Sequence, residues 1–210
     1  MKVLVGVPVF RVPDLVRRCL GSLVDTPADI LVIDNAADAD VKSVVQRFGN
    51  KVTTIANASN GYCNGGWNQT MEYGLNHRYD LIGLGSSDVS LHPGWYEVLV
   101  KRAETSCNEV WIPTLSTEQT EDVYLPNVGW YFSFLPRKAV EIVYPIPCTL
   151  RHWFGDTYMR DKLISNGWKH VLAKDIRSNH EQSAVTCRVP EAYAVIEQDK
   201  EAWSKKESTK

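Results

Sequence analysis

The chain has 210 residues, enough for one medium-sized domain with a substantial core, and its 44% hydrophobic and 23% charged residues are typical of a soluble globular protein. Its formal net charge of -2 provides no broad basic surface, which argues against binding to a nucleic-acid backbone as the main activity. The five cysteines are odd in number and include no Cys-x-x-Cys pair, so we expect reduced cytosolic thiols rather than a disulfide framework or a zinc site.

Strand-like and helix-like segments alternate through the first half of the chain. The predicted strands are apolar runs bounded by turn residues, over Val3–Val9, Ile30–Asp34, Val52–Ala56, Leu81–Gly85 and Val110–Leu115. The predicted helices carry helical patterns and cover Pro13–Val24, Val41–Phe48, Gly66–His77 and Gly94–Thr105. This alternation predicts an α/β class with one Rossmann-like domain, whose central, mostly parallel but mixed sheet has helices on both faces. No segment approaches the length of a membrane span, so we expect a cytoplasmic protein without a transmembrane segment.

The fourth predicted strand ends in Ser86-Ser87-Asp88. Ligands of open parallel sheets lie beyond the carboxyl ends of the strands, so a polar, acidic strand end is a place to hold a metal against a phosphate. Asp88 could instead cap the helix that begins near His92–Gly94, as loop aspartates commonly do.

Two further segments suit a nucleotide. Asp34 ends the second strand, where its carboxylate could accept a hydrogen bond from a ribose or a base imide, or could simply belong to a turn. The segment Asn60–Asn68 is rich in glycine, which allows close backbone approach to a ligand, although a tight loop needs glycine too. It contains neither GxGxxG nor a P-loop Gly-Lys-Ser/Thr, so nucleotide binding of those two kinds is not indicated.

Two residues of the second half have chemistry that fits a site. Asp156 stands at the start of a predicted helix that ends near Asn166–Gly167, either as a cap or as a general base in an aromatic-lined cleft. His180 follows the predicted strand Lys169–Ala173 in a polar stretch, where a core role is less expected than for most histidines. We expect the other histidines to be surface or structural residues: His77, His92, His152 and His170.

In their order, these segments resemble the GT-A fold of nucleotide-sugar glycosyltransferases, and within it the inverting family 2, over residues 2 to 182. Val5–Phe10 is similar to the first strand of the family, Val32–Asn35 to its second-strand aspartate, and Asn60–Asn68 to a segment of its rhamnosyltransferase-like members. Ser86–Asp88 stands at the DxD position, Phe154–Asp156 at the Glu-Asp position, and His180 at the late metal-ligand histidine. Ser86 and Gly155 replace residues that are usually acidic there, whereas Asp88 keeps the essential last position of DxD.

The resemblance implies a metal-dependent, inverting transfer from a UDP-sugar to a hydroxyl of a glycan or glycoprotein. Asp88 and His180 would hold Mn²⁺, with Mg²⁺ as substitute, against the diphosphate, and Asp156 would accept the proton of the acceptor hydroxyl. The candidate sugar-stacking residues are Trp67, Trp130 and Trp153. The predicted donor contacts are Pro8, Val9, Phe10, Arg11, Asp34, Asn60, Gly61, Gly65, Ser86, Ser87 and Asp88.

The resemblance also divides the single domain, residues 1–210, into a nucleotide-binding half at about 1–115, an acceptor-side half at about 116–185 and a helical tail at 190–210. The small size is similar to that of virus-encoded enzymes, such as the chlorella-virus glycosyltransferases that decorate capsid glycans. A viral origin would place the protein in the host cytoplasm.

Two other classes of protein are alternatives to a glycosyltransferase. A sugar nucleotidyltransferase normally has a glycine-rich first loop with Arg and Lys, which Pro8–Val12 lacks. A non-catalytic domain that binds nucleotide sugars stays open, because the DxD is incomplete.

Overall fold

The computed structural model describes residues 1–124, 129–181, 185, 188 and 193–207. The strands in this part of the chain are β1 (Val3–Val9), β2 (Asp29–Asp34), β3 (Val52–Ala56), β4 (Leu81–Leu84), β5 (Val89–Leu91), β6 (Glu109–Thr114), β7 (Val123–Tyr124), β8 (Ser133–Pro136) and β9 (Lys169–His180). The helices are α1 (Pro13–Gly21), α2 (Ala39–Gln46), α3 (Tyr62–Asn76), α4 (Trp95–Thr105), α5 (Arg137–Val143), α6 (Gly155–Ser165) and α7 (Ile196–Glu207), with a 3₁₀ turn at Gly49–Lys51.

The strands form a mixed sheet in the order β3-β2-β1-β4-β8-β6-β9-β5, and β7 pairs with β9 beside this path. The first four strands of this order are parallel, as are β6 and β9, whereas β8 runs antiparallel to both of its neighbours. This arrangement confirms the prediction of a single α/β domain with a mixed sheet.

Helices cover both faces of the sheet because its inner strands are apolar on both sides. Along β1, Val3, Val5 and Val7 belong to one buried cluster with residues of α1, α2 and α4. Leu4, which lies between them in sequence, belongs to a second cluster with residues of α3, α5 and α6. Since successive side chains of a strand point to opposite faces, the two clusters lie on opposite sides of the sheet. The polar residues of a site are therefore left to the strand ends.

An ion-pair network connects α4 to the strands at one side of the sheet. The guanidinium of Arg102 donates two hydrogen bonds of 2.8 and 2.7 Å to the carboxylate of Asp122, and a third of 2.7 Å to Asp175. The hydrogen bonds from Arg102 hold the pKa of Asp122 below its ordinary value, against the opposing effect of burial. Arg102 thus joins the helix to two segments that lie far from it in sequence.

Strand β9 differs from its prediction in length. We placed Asn179 and His180 beyond a strand that ended at Ala173, but the strand continues through His180. Its outer part pairs antiparallel with β5, so that Val89 lies opposite His180. This part is almost entirely polar in sequence, with Ile176 as its one apolar residue, so it carries no strand signal and we interpreted it as a polar stretch beyond the strand. None of the helices in the described segments is long and apolar enough to cross a membrane.

Candidate active site

A cavity of about 570 Å³ opens beyond the carboxyl ends of the parallel strands β1, β2 and β4. Strand β1 contributes Pro8, and Phe10 follows it, while Asn35 follows β2 and Ser86–Asp88 follow β4. In open α/β sheets, a crevice forms at the carboxyl ends of the strands where the strand order reverses, which explains why the cavity forms here. The opposite wall comes from Trp130, from the loop before α6, and from the end of β9.

Most of the predicted site residues lie in this cavity. The lining includes Pro8, Phe10, Asn60, Ser86, Ser87, Asp88, Asp156, His180 and the three predicted tryptophans, Trp67, Trp130 and Trp153. The donor residues that we predicted but that do not line it are Val9, Arg11, Asp34, Gly61 and Gly65. The structure therefore brings together residues that were selected separately along the chain.

Asp34 is buried behind the cavity, and its carboxylate closes the turn after β2. One of its oxygens accepts a hydrogen bond from the backbone N–H of Ala36, and the other from that of Asp38, both at 3.0 Å. The next residue, Asn35, takes the lining position instead. The Asn35 side-chain carbonyl accepts from the Asn57 amide at 2.8 Å, so an amide network fixes this part of the wall.

Asp88 and His180 form a pair at the bottom of the cavity. The distance between Asp88 Oδ2 and His180 Nε2 is 3.6 Å, and the Ser86 hydroxyl donates to Asp88 Oδ1 at 2.5 Å. Burial acts to raise the pKa of Asp88, but His180 and the Ser86 hydroxyl outweigh it, so the pKa lies below its ordinary value. The helix α4 has Gly94 at its N-cap and no side-chain cap, so Asp88 does not cap it.

The pairing of β5 with β9 produces this geometry. Because Val89 lies opposite His180, the residue before Val89 comes next to the imidazole. The ring of Tyr131 stacks on His180 with 4.9 Å between ring centroids and 20° between planes, and its hydroxyl donates to the carbonyl oxygen of Pro113. Stacking and strand pairing together fix the orientation of the imidazole.

The residues present fit a divalent cation that is shared with a ligand. Asp88 and His180 supply one carboxylate and one imidazole, ligand types that suit Mn²⁺. In the described part of the chain, no group of three or more His, Cys, Asp or Glu residues is placed to hold a metal. The cavity-lining residues in that part include no Lys or Arg. Among the described residues, a cation at this pair would thus have two ligands, and oxygens of a bound molecule or water would complete its coordination.

Asp156 lies in the second position of α6, after Gly155, and its carboxylate connects two walls of the cavity. Its Oδ1 accepts from the backbone N–H of Thr157 at 2.8 Å, and its Oδ2 accepts from that of Trp130 at 3.3 Å. The N-cap residue of this helix is Phe154, which makes no side-chain cap. Asp156 is therefore not the N-cap that the alternative interpretation required, and its carboxylate borders the same cavity as Asp88.

The loop before α6, Leu150–Phe154, is held from two sides. On the α3 side, the buried Asn64 amide donates to the carbonyl oxygens of Leu150 and Trp153, both at 3.1 Å. A Cβ at Gly155 would lie 2.1 Å from Asn64 Oδ1, so a larger residue at this position requires Asn64 to move. This close contact explains why glycine stands where the resemblance implies glutamate.

On the other side of the loop, helix α7 contributes Asp199 and Trp203. The Asp199 carboxylate accepts hydrogen bonds from three consecutive backbone N–H groups, of Arg151, His152 and Trp153. Trp203 stacks on Phe154 with 5.8 Å between ring centroids.

Sequence reasoning missed several residues of this site. Tyr131 and His152 line the cavity, and we had expected His152 to be a surface or structural residue; Cys63 and Asn64 also line it, within the predicted segment Asn60–Asn68 but without being predicted individually. His152 does fit its neighbourhood, since burial lowers its pKa and favours the neutral ring. Burial, with the charges of Asp156 and Asp88, raises the pKa of the Cys63 thiol, which therefore stays protonated. The aromatic segment Trp130–Phe132 was the one available signal for Tyr131.

Comparison with known proteins gives a consistent result. Residues 4–165 match the family described as Glycosyl transferase family 2. No curated protein matches the chain. Among solved structures, S. aureus TarS superposes with a TM-score of 0.71 at 14% identity, over 85% of this chain and 36% of that one.

Two further structures share the fold. The mannosyltransferase PcManGT from Pyrobaculum calidifontis, in complex with GDP-Man and Mn²⁺, has a TM-score of 0.66 at 12% identity, over 84% of this chain and 56% of its own. GalNAc-T7, with UDP, GalNAc and Mn²⁺, has a TM-score of 0.69 at 13% identity, over 86% and 44%. The chain covers less than two thirds of each of these structures. At these identities the similarity shows a common GT-A-like fold.

Proposed function

Because the chain belongs to glycosyl transferase family 2, we propose that it transfers a sugar from a UDP-sugar to a hydroxyl group of a glycan acceptor, with inversion at the anomeric carbon. The observation that carries this proposal is the Asp88–His180 pair, which shares a cavity with Asp156. The proposal rests on a cation-binding pair and a possible base that border the same space, as such a transfer requires. The nucleotide-binding half is assigned to about 1–115 and the acceptor side to about 116–185.

The charge of the cavity supports a metal-dependent donor site. Two carboxylates line it, and its described lining residues include no Lys or Arg to neutralise a diphosphate. When bound at Asp88 and His180, Mn²⁺, or Mg²⁺ in its place, supplies the positive charge that stabilises the diphosphate leaving group. The mannosyltransferase from P. calidifontis and GalNAc-T7 both have Mn²⁺ in their solved structures.

On the acceptor side, we assign Asp156 as the general base. Its carboxylate would accept the proton of the attacking hydroxyl as that oxygen bonds to the anomeric carbon from the face opposite the leaving group. Two of its hydrogen bonds come from backbone N–H groups, which hold the carboxylate in place. Trp153 is half-buried, lies near Asp156 and offers a ring face for a sugar, whereas Trp130 and Trp67 also line the cavity but are almost completely buried.

For the nucleobase we propose uracil, bound near Pro8, Phe10, Asn35 and Asn60. The position of Asp34 behind the wall makes it a support for Asn35 in this proposal, rather than a direct contact. The solved neighbours contain both UDP and GDP, so the base needs a direct test with UDP, CDP and GDP titrated in the presence of Mn²⁺. Binding of UDP should be much the strongest, and equal affinities would remove the uracil assignment. The rhamnosyltransferase-like subgroup, the viral origin and the capsid glycan stay predictions from the sequence.

Calorimetric titration of UDP with and without Mn²⁺ tests the central proposal. Wild-type protein should bind UDP tightly only when the cation is present, and Asp88→Ala should abolish most of that gain. The matched control is Asp25→Ala, which removes an exposed aspartate away from the cavity and should behave like wild type. Equal UDP affinity in Asp88→Ala and wild type would remove Asp88 from the metal site.

A panel of UDP-sugars then separates an enzyme from a binding domain. Slow release of free sugar from one UDP-sugar, dependent on Mn²⁺, would support a transferase that uses water in place of its acceptor. Tight binding of a UDP-sugar without release or transfer to any hydroxyl acceptor would favour the non-catalytic alternative.

A further inference from the structure

Helix α7 lies beyond residues 4–165, the part of the chain that matches the family, yet it contacts the active-site loop directly. Asp199 of this helix is completely buried. Its Oδ1 accepts a hydrogen bond from the backbone N–H of Arg151 at 3.0 Å. Its Oδ2 accepts from those of His152 and Trp153, both at 2.8 Å. Three successive N–H groups of one loop thus point at one carboxylate of another segment.

This contact does more than fill space. Successive backbone N–H groups that converge form a concavity suited to an anion, and a buried carboxylate is stable only where such donors surround it. Without the carboxylate, three backbone donors would lose the acceptor that this buried side chain gives them, which costs free energy. The loop conformation therefore depends on the charge at residue 199.

The same loop shapes the acceptor side of the cavity. His152, Trp153 and Phe154 line it, and Asp156 follows at the start of α6. Phe154 has a φ of 60°, a left-handed conformation that costs energy for a residue with a side chain and persists only where neighbours enforce it. One enforcing contact is the stacking of Phe154 on Trp203, also in α7. The helix that holds Asp199 thus also holds the residue directly before Gly155 and Asp156.

We propose that Asp199 is a positioning residue of the transfer reaction. It holds the loop Leu150–Phe154 and so places Asp156, with the aromatic residues Trp153 and Phe154 of this loop, against the acceptor. This inference rests on the proposed function, in which Asp156 is the base. The three hydrogen bonds of the Asp199 carboxylate go to the loop, whereas the donor-side residues Pro8, Asn60 and Asp88 belong to other segments, at β1, before α3 and after β4. Loss of Asp199 should therefore affect the acceptor step and leave donor binding unchanged.

The test compares Asp199→Asn with Glu197→Gln, a charge-removing variant at an exposed position of the same helix. Transfer is measured well below the melting temperature and expressed per molecule that binds UDP, which corrects for any unfolded fraction. For Asp199→Asn we expect a fall in kcat of about 10², because small misplacements of a reacting group have effects of that size. We also expect a higher KM for the acceptor and a UDP affinity within about twofold of wild type. The control Glu197→Gln should match wild type in kcat, in KM for the acceptor and in UDP affinity.

A kcat per UDP-binding molecule within about twofold of wild type would overturn the proposal, since a merely stabilising contact predicts that result. A loss of UDP affinity equal to the loss of transfer would overturn it too, because the effect would then not be confined to the acceptor side.

Hydrogen exchange of the unliganded full chain supplies a readout that needs no activity. In Asp199→Asn the amides of Arg151, His152 and Trp153 should exchange at least tenfold faster, while those of α3 keep their wild-type rates. Unchanged exchange at these three amides would overturn the positioning role even if transfer fell. If wild type transfers no sugar but the loop amides respond as described, the proposed function fails while the structural link stands.

Discussion

Asp88 and Asp156 border the same cavity, but their surroundings differ in ways that suit the different roles we propose for them. Asp88 has an imidazole and a hydroxyl as neighbours, which lower its pKa and favour the ionised form that the proposed cation site requires. Asp156 instead accepts hydrogen bonds from two backbone N–H groups, next to the aromatic residues Trp153 and Phe154 of the preceding loop. Two carboxylates in different environments are a common basis for separate roles in one active site.

The role proposed for Asp156 leads to a first prediction. Asp156→Asn keeps the shape of the side chain and its ability to accept from Thr157, but removes the group that takes the proton. Transfer should fall by about 10² to 10⁴, the usual contribution of a general base, while UDP-sugar affinity stays near that of wild type. Both quantities are measured on the same preparation. Near-normal transfer would assign the base to another acidic residue.

The contact between Gly155 and Asn64 gives a second prediction. In Gly155→Ala the new Cβ would lie 2.1 Å from Asn64 Oδ1, so the variant should lose about 1–3 kcal/mol of unfolding free energy in a urea titration. The control is Gly65→Ala, in the interior of α3, where a Cβ meets nothing within 4 Å and alanine should not destabilise. In a double-mutant cycle, Gly155→Ala should cost less unfolding free energy in the Asn64→Ala background than in wild type, because the amide that the new Cβ meets is then absent. A Gly155→Ala variant as stable as wild type would contradict the steric explanation.

At the scale of single residues, the sequence predicted the polar strand ends better than their supports. Ser86–Asp88 could be found because a polar group after a buried strand is conspicuous. Asp199 could not, since nothing in its local pattern distinguishes a helix-surface residue from one that reaches a distant loop. Asn64 lies in the predicted segment Asn60–Asn68, but its contact with the loop before α6 could not be predicted for the same reason. Asp34 was placed in the pocket because it ends a strand, but the turn after β2 uses both of its oxygens.

At the scale of elements, the strands β1 and β3 were predicted with their observed bounds because they are apolar runs between turn residues. Strands β5, β7 and β8 were missed, because two to four residues carry too little periodicity to be distinguished from a loop. Their pairing depends on partners far away in sequence, as Val89 with His180 shows. The prediction was therefore best where local pattern and tertiary environment agree.

The ion-pair network of α4 allows a prediction about pH. Since Arg102 lowers the folded-state pKa of Asp122, this carboxylate stabilises the fold above its unfolded pKa, and that contribution is lost as the pH falls through its folded pKa. At pH 7, Asp122→Asn should lose about 1–3 kcal/mol relative to wild type. The difference should shrink below about pH 4 and vanish once Asp122 is protonated in both states.

Urea titrations at stepped pH values measure this difference, with Asp25→Asn as the control for removal of an exposed charge. If the difference in unfolding free energy between wild type and Asp122→Asn stays constant down to strongly acidic pH, the network stabilises the fold by packing rather than by charge.

At the scale of the whole molecule, the cation should stabilise the fold only together with the nucleotide. In the proposed site, Mn²⁺ would have Asp88 and His180 as its ligands from the described residues, and UDP would face two carboxylates, so each should bind weakly alone. With Mn²⁺ present and UDP at about 100 times its dissociation constant, the unfolding free energy should rise by about 2.7 kcal/mol and the melting temperature by about 5–10 °C. Thermal scans of the full chain with UDP, Mn²⁺ or both measure this. An equal rise with UDP alone would contradict a metal-dependent donor site.

The pairing of β5 with β9 has a consequence for how the enzyme is made. Asp88 leaves the ribosome long before His180, and the earlier strands β1 to β4 can begin to pack while β9 is still being synthesised. The imidazole reaches Asp88 only when the outer part of β9 joins β5. A nascent chain therefore offers a cation a lone carboxylate, which binds it weakly. In the proposed mechanism, the capacity to hold a nucleotide sugar is acquired in one of the last steps of folding.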